Sequence, residues 1–376
     1  MTQPHHPVRV ALVGAGGIAG GSHLPALLAQ GDEVTTVAVL DVDEERAAAF
    51  AARWDIPAVF GDLRQMLDTA QPDLVVVCTP PGAHRDTVVT CLDAGAWVWC
   101  EKPPTLSVAE YDEIAAHERD GGPYASYVFQ HRFGSAARAL REHIRTGSLG
   151  APLVGICHTL WYRDAAYYDV PWRGRWETEG GGPSMGHGIH QMDLMLALMG
   201  EWTEVRASTG TLAREVETED VSMALVRFAS GAMVSMVNSV LSPRETSYLR
   251  FDFPEATVEL THLYGYDNSN WQWTPAPHRA TDSAADLGAP ADDEASSHTA
   301  QLRVLLQALR SGRRPEASGE DGRRVLAFIA ALYESAATGR PVTPDQLTPD
   351  NPFYYSMSGA PGFVGRPHTG EESLRA

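Results

Sequence analysis

An α/β architecture in two domains is predicted for this chain. An N-terminal doubly wound parallel sheet is followed by a C-terminal α/β domain with a large, mostly antiparallel open sheet. Three observations predict it. Over the first 120 residues short apolar runs alternate with helix-period segments, the rhythm of a parallel sheet with right-handed crossovers. A glycine-rich turn stands directly between the first apolar run and the first helix. From about residue 202 strands follow one another through short turns, which makes an antiparallel sheet.

The elements follow in order. VRVALVG at 8–14 is a buried strand, and its glycine turn opens a helix to about Ala29. EVTTVAVLD at 33–41 is a second strand, and DEERAAAFAARW at 43–54 an amphipathic helix. A short strand around Val59 and a helix around Leu67 come next. DLVVVCTP at 73–80 is a fourth strand, and AHRDTVVTCLDAG at 83–95 a helix stopped by Gly95. AWVWCEKP at 96–103 is a fifth strand, SVAEYDEIAAHER a helix, and PYASYVFQ a sixth strand. A strand over 152–161, an aromatic loop and a helix from about Ser184 to Met199 lead into the second sheet, with Gly200 as helix stop. Its further strands lie at about 202–213, 220–228, 231–240, 246–253 and 256–261, and Gly231 supplies the positive φ of a hairpin turn. The Ala-, Asp-, Pro- and Ser-rich stretch 274–297 is predicted to be a mobile surface loop, followed by helices at about 299–311 and 320–337. The expected boundaries are 1–122 for a dinucleotide-binding domain, 123–345 for a substrate and oligomerisation domain, and 346–376 for a Pro/Gly-rich tail.

Composition narrows the partners. The 376 residues suffice for two domains. With 29 Lys+Arg against 48 Asp+Glu the formal charge is -19, a surface that repels phosphate backbones and argues against nucleic acid. Any anionic ligand needs a locally basic pocket. No stretch approaches the ~18 apolar residues of a membrane span. The N-terminus lacks the basic flank, apolar core and cleavage site of a signal peptide. Cys78, Cys91, Cys100 and Cys157 show no CxxC spacing and read as free thiols in a reducing cytoplasm. A cytoplasmic protein without membrane or nucleic-acid partners is expected.

Gly14-Ala15-Gly16-Gly17-Ile18-Ala19 follows the first strand and fits G-x-G-x-x-G/A. Gly14 makes the tight turn, Gly16 admits a pyrophosphate, and Ala19 lets helix and strand pack closely. The helix start presents N–H groups to phosphate. Asp41 lies 22 positions after Ala19, at the end of strand two, where a carboxylate binds a ribose diol. It would repel a 2′-phosphate, and no Arg or Lys follows until Arg46, so NAD is expected over NADP. Thr79, Pro80 and His84 close strand four, and Glu101 and Lys102 close strand five, at the carboxyl ends that face the ligand crevice. A lysine at a buried strand tip loses solvation, which lowers its pKa toward that of a proton-transfer group.

Taken together, GAGGIA, CTPPGAH, EKP and GGGPSMGHGIHQMDL at 180–194 resemble the Gfo/Idh/MocA oxidoreductases, over most of the chain to about residue 340. The resemblance implies an N-terminal Rossmann domain and a C-terminal domain whose open sheet often forms subunit contacts. A homodimer or homotetramer through that sheet is therefore expected. It implies hydride transfer between a nicotinamide and a secondary alcohol or ketone of a sugar, sugar derivative or cyclitol. It places Lys102 against substrate and cofactor ribose, with a cis bond to Pro103, and makes His190 the active-site histidine; Lys102 and His190 are the expected catalytic pair.

One departure stands out. The family usually carries Asp or Asn four residues before that histidine, and here the position is Gly186. His187 is one helical residue further on, about 100° round, and reaches the pocket only if the helix start is distorted. Tyr167, Tyr168 or a water are the other candidates to hold the substrate hydroxyl. His187, His190 and Asp193 share a helix face, but a histidine bonded to a carboxylate is the commoner arrangement, and no metal is expected. Six aromatics fall in 161–176: Trp161, Tyr162, Tyr167, Tyr168, Trp172 and Trp176. Sugar C–H faces pack well on such rings, so Tyr167, Tyr168, Trp172 and His187 join Lys102 and His190 as expected substrate contacts. Arg163, Arg173 and Arg175 could bind hydroxyls or a carboxylate; a subunit interface or a loop packed on the sheet is the competing use of this segment. The rival function is a non-catalytic sugar- or dinucleotide-binding regulator of the same fold. A reductase for a non-sugar ketone is a third possibility.

Overall fold

The computed structural model describes residues 6–359. Six strands, β1 (Val8–Val13), β2 (Val34–Leu40), β3 (Val59–Phe60), β4 (Leu74–Val77), β5 (Trp97–Cys100) and β6 (Ala125–Tyr127), form one parallel sheet in the order β3-β2-β1-β4-β5-β6. β4 and β5 are buried along their whole length, which is why they read as unbroken apolar runs rather than as alternation. Two helices on this sheet start at aspartates: Asp43 accepts from Arg46 N at 2.9 Å and Asp62 from Gln65 N at 2.7 Å. The strand order reverses between β1 and β4, so a crevice opens at their carboxyl ends.

The second sheet holds β7 (Val154–Tyr162), β8 (Trp202–Gly210), β9 (Val221–Phe228), β10 (Met233–Ser239), β11 (Leu241–Asp252), β12 (Ala256–His262) and β13 (Trp271–Pro275). Their order is β13-β12-β11-β7-β10-β9-β8, antiparallel throughout except for the parallel pair β10 and β7. Side chains alternate strictly along β7 and β9. One face packs on the helices Ile189–Met199 and Glu320–Thr338. The other leaves Val154, Met223, Leu225 and Met233 exposed.

Several segments differ from the sequence reading. The helix Ser135–Thr146 has no counterpart in it, because its buried stripe is only Ala136, Ala137 and Leu140 among polar residues. β13 runs into the stretch 274–297, where a loop is predicted. That stretch is also tied down: Leu287 is buried, Glu294 pairs with Arg138 at 2.8 Å, and Ser296 N bonds Tyr266 O at 2.8 Å. The helix His298–Ser311 crosses back onto the parallel sheet, where Leu302, Leu305 and Leu306 pack with Val10, Leu12 and Trp99. Within the expected tail, the turn Pro352–Tyr355 buries Phe353 and Tyr354, and Tyr354 Oη donates to Asp112 at 2.7 Å. The rest of the tail, 360–376, lies outside the described residues.

Arg132, just after β6, links the two sheets' supporting helices. It donates to both oxygens of Asp193, at 2.6 and 2.5 Å, and meets Asp321 at 2.8 Å. Arg132 and Asp193 are both buried. Removing one partner of such a pair strands the other charge out of water. Asp193→Ala is expected to lower unfolding free energy by on the order of 3 kcal/mol, read from the denaturant midpoint; an unchanged midpoint contradicts this account.

Candidate active site

The carboxyl ends of β1, β2, β4 and β5 open on a cleft of about 890 Å³ that continues to the inner edge of the second sheet. Gly14 turns the chain there at φ +97, and a Cβ on it would sit 2.8 Å from the Cys78 carbonyl, so only glycine fits. At Gly16 and Gly17 an added Cβ would meet nothing within 4 Å. The loop therefore leaves its backbone open to a large ligand, the property a pyrophosphate needs. Gly14, Gly16, Gly17, Ile18, Asp41, Thr79 and Pro80 line this end, and they fit a dinucleotide. Ala15 stands behind them, its N–H donated to Asp41 at 2.8 Å.

Asp41 also receives Asp43 N at 3.0 Å, and Arg46 grips it with Nε at 3.0 Å and Nη2 at 2.6 Å. Burial would raise its carboxyl pKa, yet Arg46 and the two amides hold it below the usual value. His84 takes no part in the cleft wall. It is fully buried, with Nδ1 2.8 Å from Pro103 O and Nε2 2.9 Å from Thr79 O, and clasps the turns after β4 and β5 together.

Glu101 forms part of the cleft floor. His23 Nε2 donates to it at 2.8 Å, and His298 Nε2 is 3.5 Å away. Burial would push this carboxyl up; the two imidazoles hold it well below the usual range. His23, Glu101 and His298 bring ligand-type atoms within 4.8 Å of one another, but the His23 hydrogen bond already occupies the carboxylate. His187, His190 and Asp193 do not converge, because Asp193 is turned to Arg132. The Lys102–Pro103 bond is cis. Lys102 reaches across the cleft, and Nζ donates to Gly186 O at 2.6 Å. Burial lowers its pKa, opposed by Glu101 and Glu179.

The helix carrying His190 begins with a wide π-turn, Ser184–Gly188, before the regular turns Ile189–Met199. This distortion brings His187 into the cleft together with Gly186 and His190. Neither nitrogen of His190 has a hydrogen-bond partner among the described residues. Its ring lies 5.2 Å from that of His131 and 5.5 Å from that of Tyr264. Burial and the Lys102 ammonium push its pKa well below 6.5, so the imidazole is neutral at pH 7. His187 is held neutral in the same way, with Tyr167 Oη at 3.3 Å and Arg163 Nε at 3.2 Å from its Nε2.

The aromatic segment divides. Trp161, Tyr167 and Trp172 line the cleft, with Arg163 and Arg173. Tyr168 stands behind, edge-on to Tyr167 at 5.1 Å, and Trp176 packs on Tyr333. Glu179, Glu245, Leu263 and Tyr264 also line the cleft and were not picked out from the sequence. Glu179 immediately precedes the glycine triplet and is the one with a usable signal. That triplet is required by packing: a Cβ on Gly182 would overlap the Glu219 carbonyl. Burial raises the Glu179 carboxyl to about 7.

Comparison with known proteins agrees with this geometry. Residues 8–127 match the family described as "Oxidoreductase family, NAD-binding Rossmann fold". Residues 137–261 match the "GFO/IDH/MocA C-terminal domain". D-glucoside 3-dehydrogenase of Escherichia coli is 28% identical over 356 residues, covering 89% of this chain and 96% of its own. A D-xylose 1-dehydrogenase (NADP(+)) of Haloferax volcanii is 27% identical over 337 residues, covering 89% and 99%. Among solved structures, the WlbA dehydrogenase from Bordetella pertussis in complex with NADH and UDP-GlcNAcA superposes with a TM-score of 0.79 at 27% identity, covering 90% of this chain and 98% of that one. Both halves match in the order in which the cleft joins them, and the chain belongs to the Gfo/Idh/MocA oxidoreductase family.

Proposed function

We propose that this protein is an oxidoreductase that moves a hydride between NAD and a secondary alcohol or ketone of a sugar, sugar derivative or cyclitol. The observation that carries this reading is that one cleft holds the glycine loop and Asp41 at one end and Lys102, His187 and His190 under aromatic rings at the other. The names of the relatives, dehydrogenases of a glucoside and of xylose, support the substrate class. A bound nicotinamide dinucleotide supplies the hydride acceptor or donor. The chain's own residues handle the proton. In oxidation Lys102 and His190 hold the substrate oxygen as its proton leaves; in reduction they hold it as the proton returns. The neutral His190 offers a lone pair, and the Lys102 cation offsets charge building on the oxygen. Trp161, Tyr167 and Trp172 take the C–H faces of the ring and exclude water.

Three narrower readings belong to the same proposal. Asp41 favours NAD by pairing with the ribose diol, although Arg46 on the same carboxylate is a cation that a 2′-phosphate could use. Four free, buried cysteines suit a reducing cytoplasm. The uncovered face of the second sheet, with Val154, Met223, Leu225 and Met233, suits a homodimer or homotetramer.

The test is reduced-nicotinamide absorbance over a panel of sugars, cyclitols and their keto forms. Turnover supports the enzyme, and binding without turnover supports the regulatory alternative. Lys102→Ala is expected to lower kcat by on the order of 10²-fold with NAD binding intact; near-full activity refutes its part in holding the reacting oxygen. Asp41→Ser frees Arg46, so the NAD preference measured by paired titrations is expected to narrow without any added arginine. Equal affinity of the unaltered protein for both cofactors contradicts that account. Met223→Glu with Leu225→Glu places charges on the open sheet face and is expected to reduce the mass found by light scattering. An unchanged mass removes this face from the assembly.

A further inference from the structure

Position 186 lacks a side chain, but the space a side chain would take is not empty. An added Cβ there would lie 3.4 Å from Glu179 Oε1, the one contact within 4 Å outside its own turn. Glu179 ends the short helix Trp176–Glu179, and the Gly174 amide donates to its Oε2 at 2.6 Å. Oε1 accepts no hydrogen bond among the described residues; its nearest cation is Arg173 Nη1 at 3.9 Å. Three chemistries thus converge on one residue of the cleft wall. A carboxylate oxygen stands over the Gly186 Cα, the Lys102 ammonium is bonded to its carbonyl, and one turn on is the unpartnered imidazole of His190. The other candidates to occupy this place are committed elsewhere. His187 faces Tyr167 and Arg163, and Tyr168 lies behind Tyr167.

We propose that Glu179 is a third catalytic residue, contacting the substrate hydroxyl through Oε1 and holding the proton that this hydroxyl releases. This rests on the oxidoreductase reading above. In oxidation the substrate O–H bond breaks and its electron pair becomes the second C–O bond. The C–H pair leaves as hydride to the oxidised nicotinamide, and the proton forms a new O–H bond at Glu179 Oε1. Lys102 and His190 hold the oxygen meanwhile. His190 is a poor resting place for the proton, because burial and the Lys102 charge both oppose an imidazolium. Glu179 is better matched to neutral pH: burial raises its carboxyl to about 7, against the Gly174 amide, Arg173 and Lys102, with Glu219 adding to the rise. Tyr168, on which the Glu179 charge also acts, stays neutral, its pKa pushed up to about 12, chiefly by burial.

Swapping the carboxylate between the two positions tests this on the full chain loaded with NAD. Glu179→Gln keeps an acceptor for the Gly174 amide. It is expected to lower kcat for oxidation by on the order of 10²-fold, with NAD affinity unchanged. The rising limb near pH 7 in kcat/KM is expected to vanish in the same variant. Glu179→Ala is expected to be similarly impaired, and Gly186→Asp added to it to recover at least about tenfold. Gly186→Asp alone is expected to lose activity, because two carboxylates then crowd one site. Full activity and an unaltered pH limb in Glu179→Gln, with Lys102→Ala inactive in the same assay, overturn the role of Glu179 alone. If the unaltered protein binds NAD and turns over nothing in the panel, the oxidoreductase reading has failed and the proposal falls with it.

Discussion

The hydrogen bond from Lys102 Nζ to the Gly186 carbonyl, 2.6 Å long, joins the tip of a parallel strand to the first turn of a helix on the other sheet. It is the shortest statement of how the molecule works, since the cleft exists only where these two ends meet. Each side of the bond is held from behind. Glu101, fixed by His23, receives the Lys102 amide at 3.2 Å, and His84 ties the following turn to the end of β4. On the other side Glu219 accepts the amides of Gly182 and Ser184 and the hydroxyl of Tyr333, which fixes the glycine triplet. Lys102 and the turn carrying Gly186 are therefore positioned by buried hydrogen bonds to the carboxylates of Glu101 and Glu219.

Burial then sets the charge states. A lysine, a glutamate and two histidines share a cleft wall that is largely buried, so the charge of each acts strongly on the others. Both histidines are pushed to the neutral form, and Lys102 keeps its proton with the help of Glu101 and Glu179. The result is one cation, one neutral imidazole and one carboxyl near its midpoint around a single residue. Such a mixture lets a proton move at neutral pH without building a large net charge. It also accounts for how a protein of charge -19 builds a site with Lys102, Arg163 and Arg173 together: their fields are answered locally by Glu179 and Glu245.

A glycine at position 186, where the family resemblance implies a carboxylate, has a simple structural answer. The short helix ending at Glu179 brings an acid to the same volume from seven residues upstream. The functional group is kept while its anchor is moved. What changes is the direction of approach and the room left above residue 186, and both bear on which substrates fit.

Much of the fold was legible because its signals are local. The buried runs of β1, β4 and β5, the φ-positive turn at Gly14, the aspartate caps and the strand alternation of β9 each depend on residues close in sequence. So do the glycine loop, Asp41 and the Lys102 tip, whose positions follow from where strands end. Elements with weak stripes were lost, such as Ser135–Thr146 with its alanine face, and so was the edge strand β13. The site was legible in part. Lys102 and His190 stand in the cleft, whereas His84 and Tyr168 lie behind its wall, a distinction of one layer that spacing along the chain does not encode. Arg46 closing on Asp41, the π-turn that admits His187, and the carboxylate of Glu179 above Gly186 are tertiary facts. Sequence alone determined the strongly patterned elements and where they end, because backbone conformation and periodic burial are short-range. Only the folded chain decided which charges meet and in what protonation state, because desolvation and Coulomb forces act through space, between segments that the sequence keeps apart.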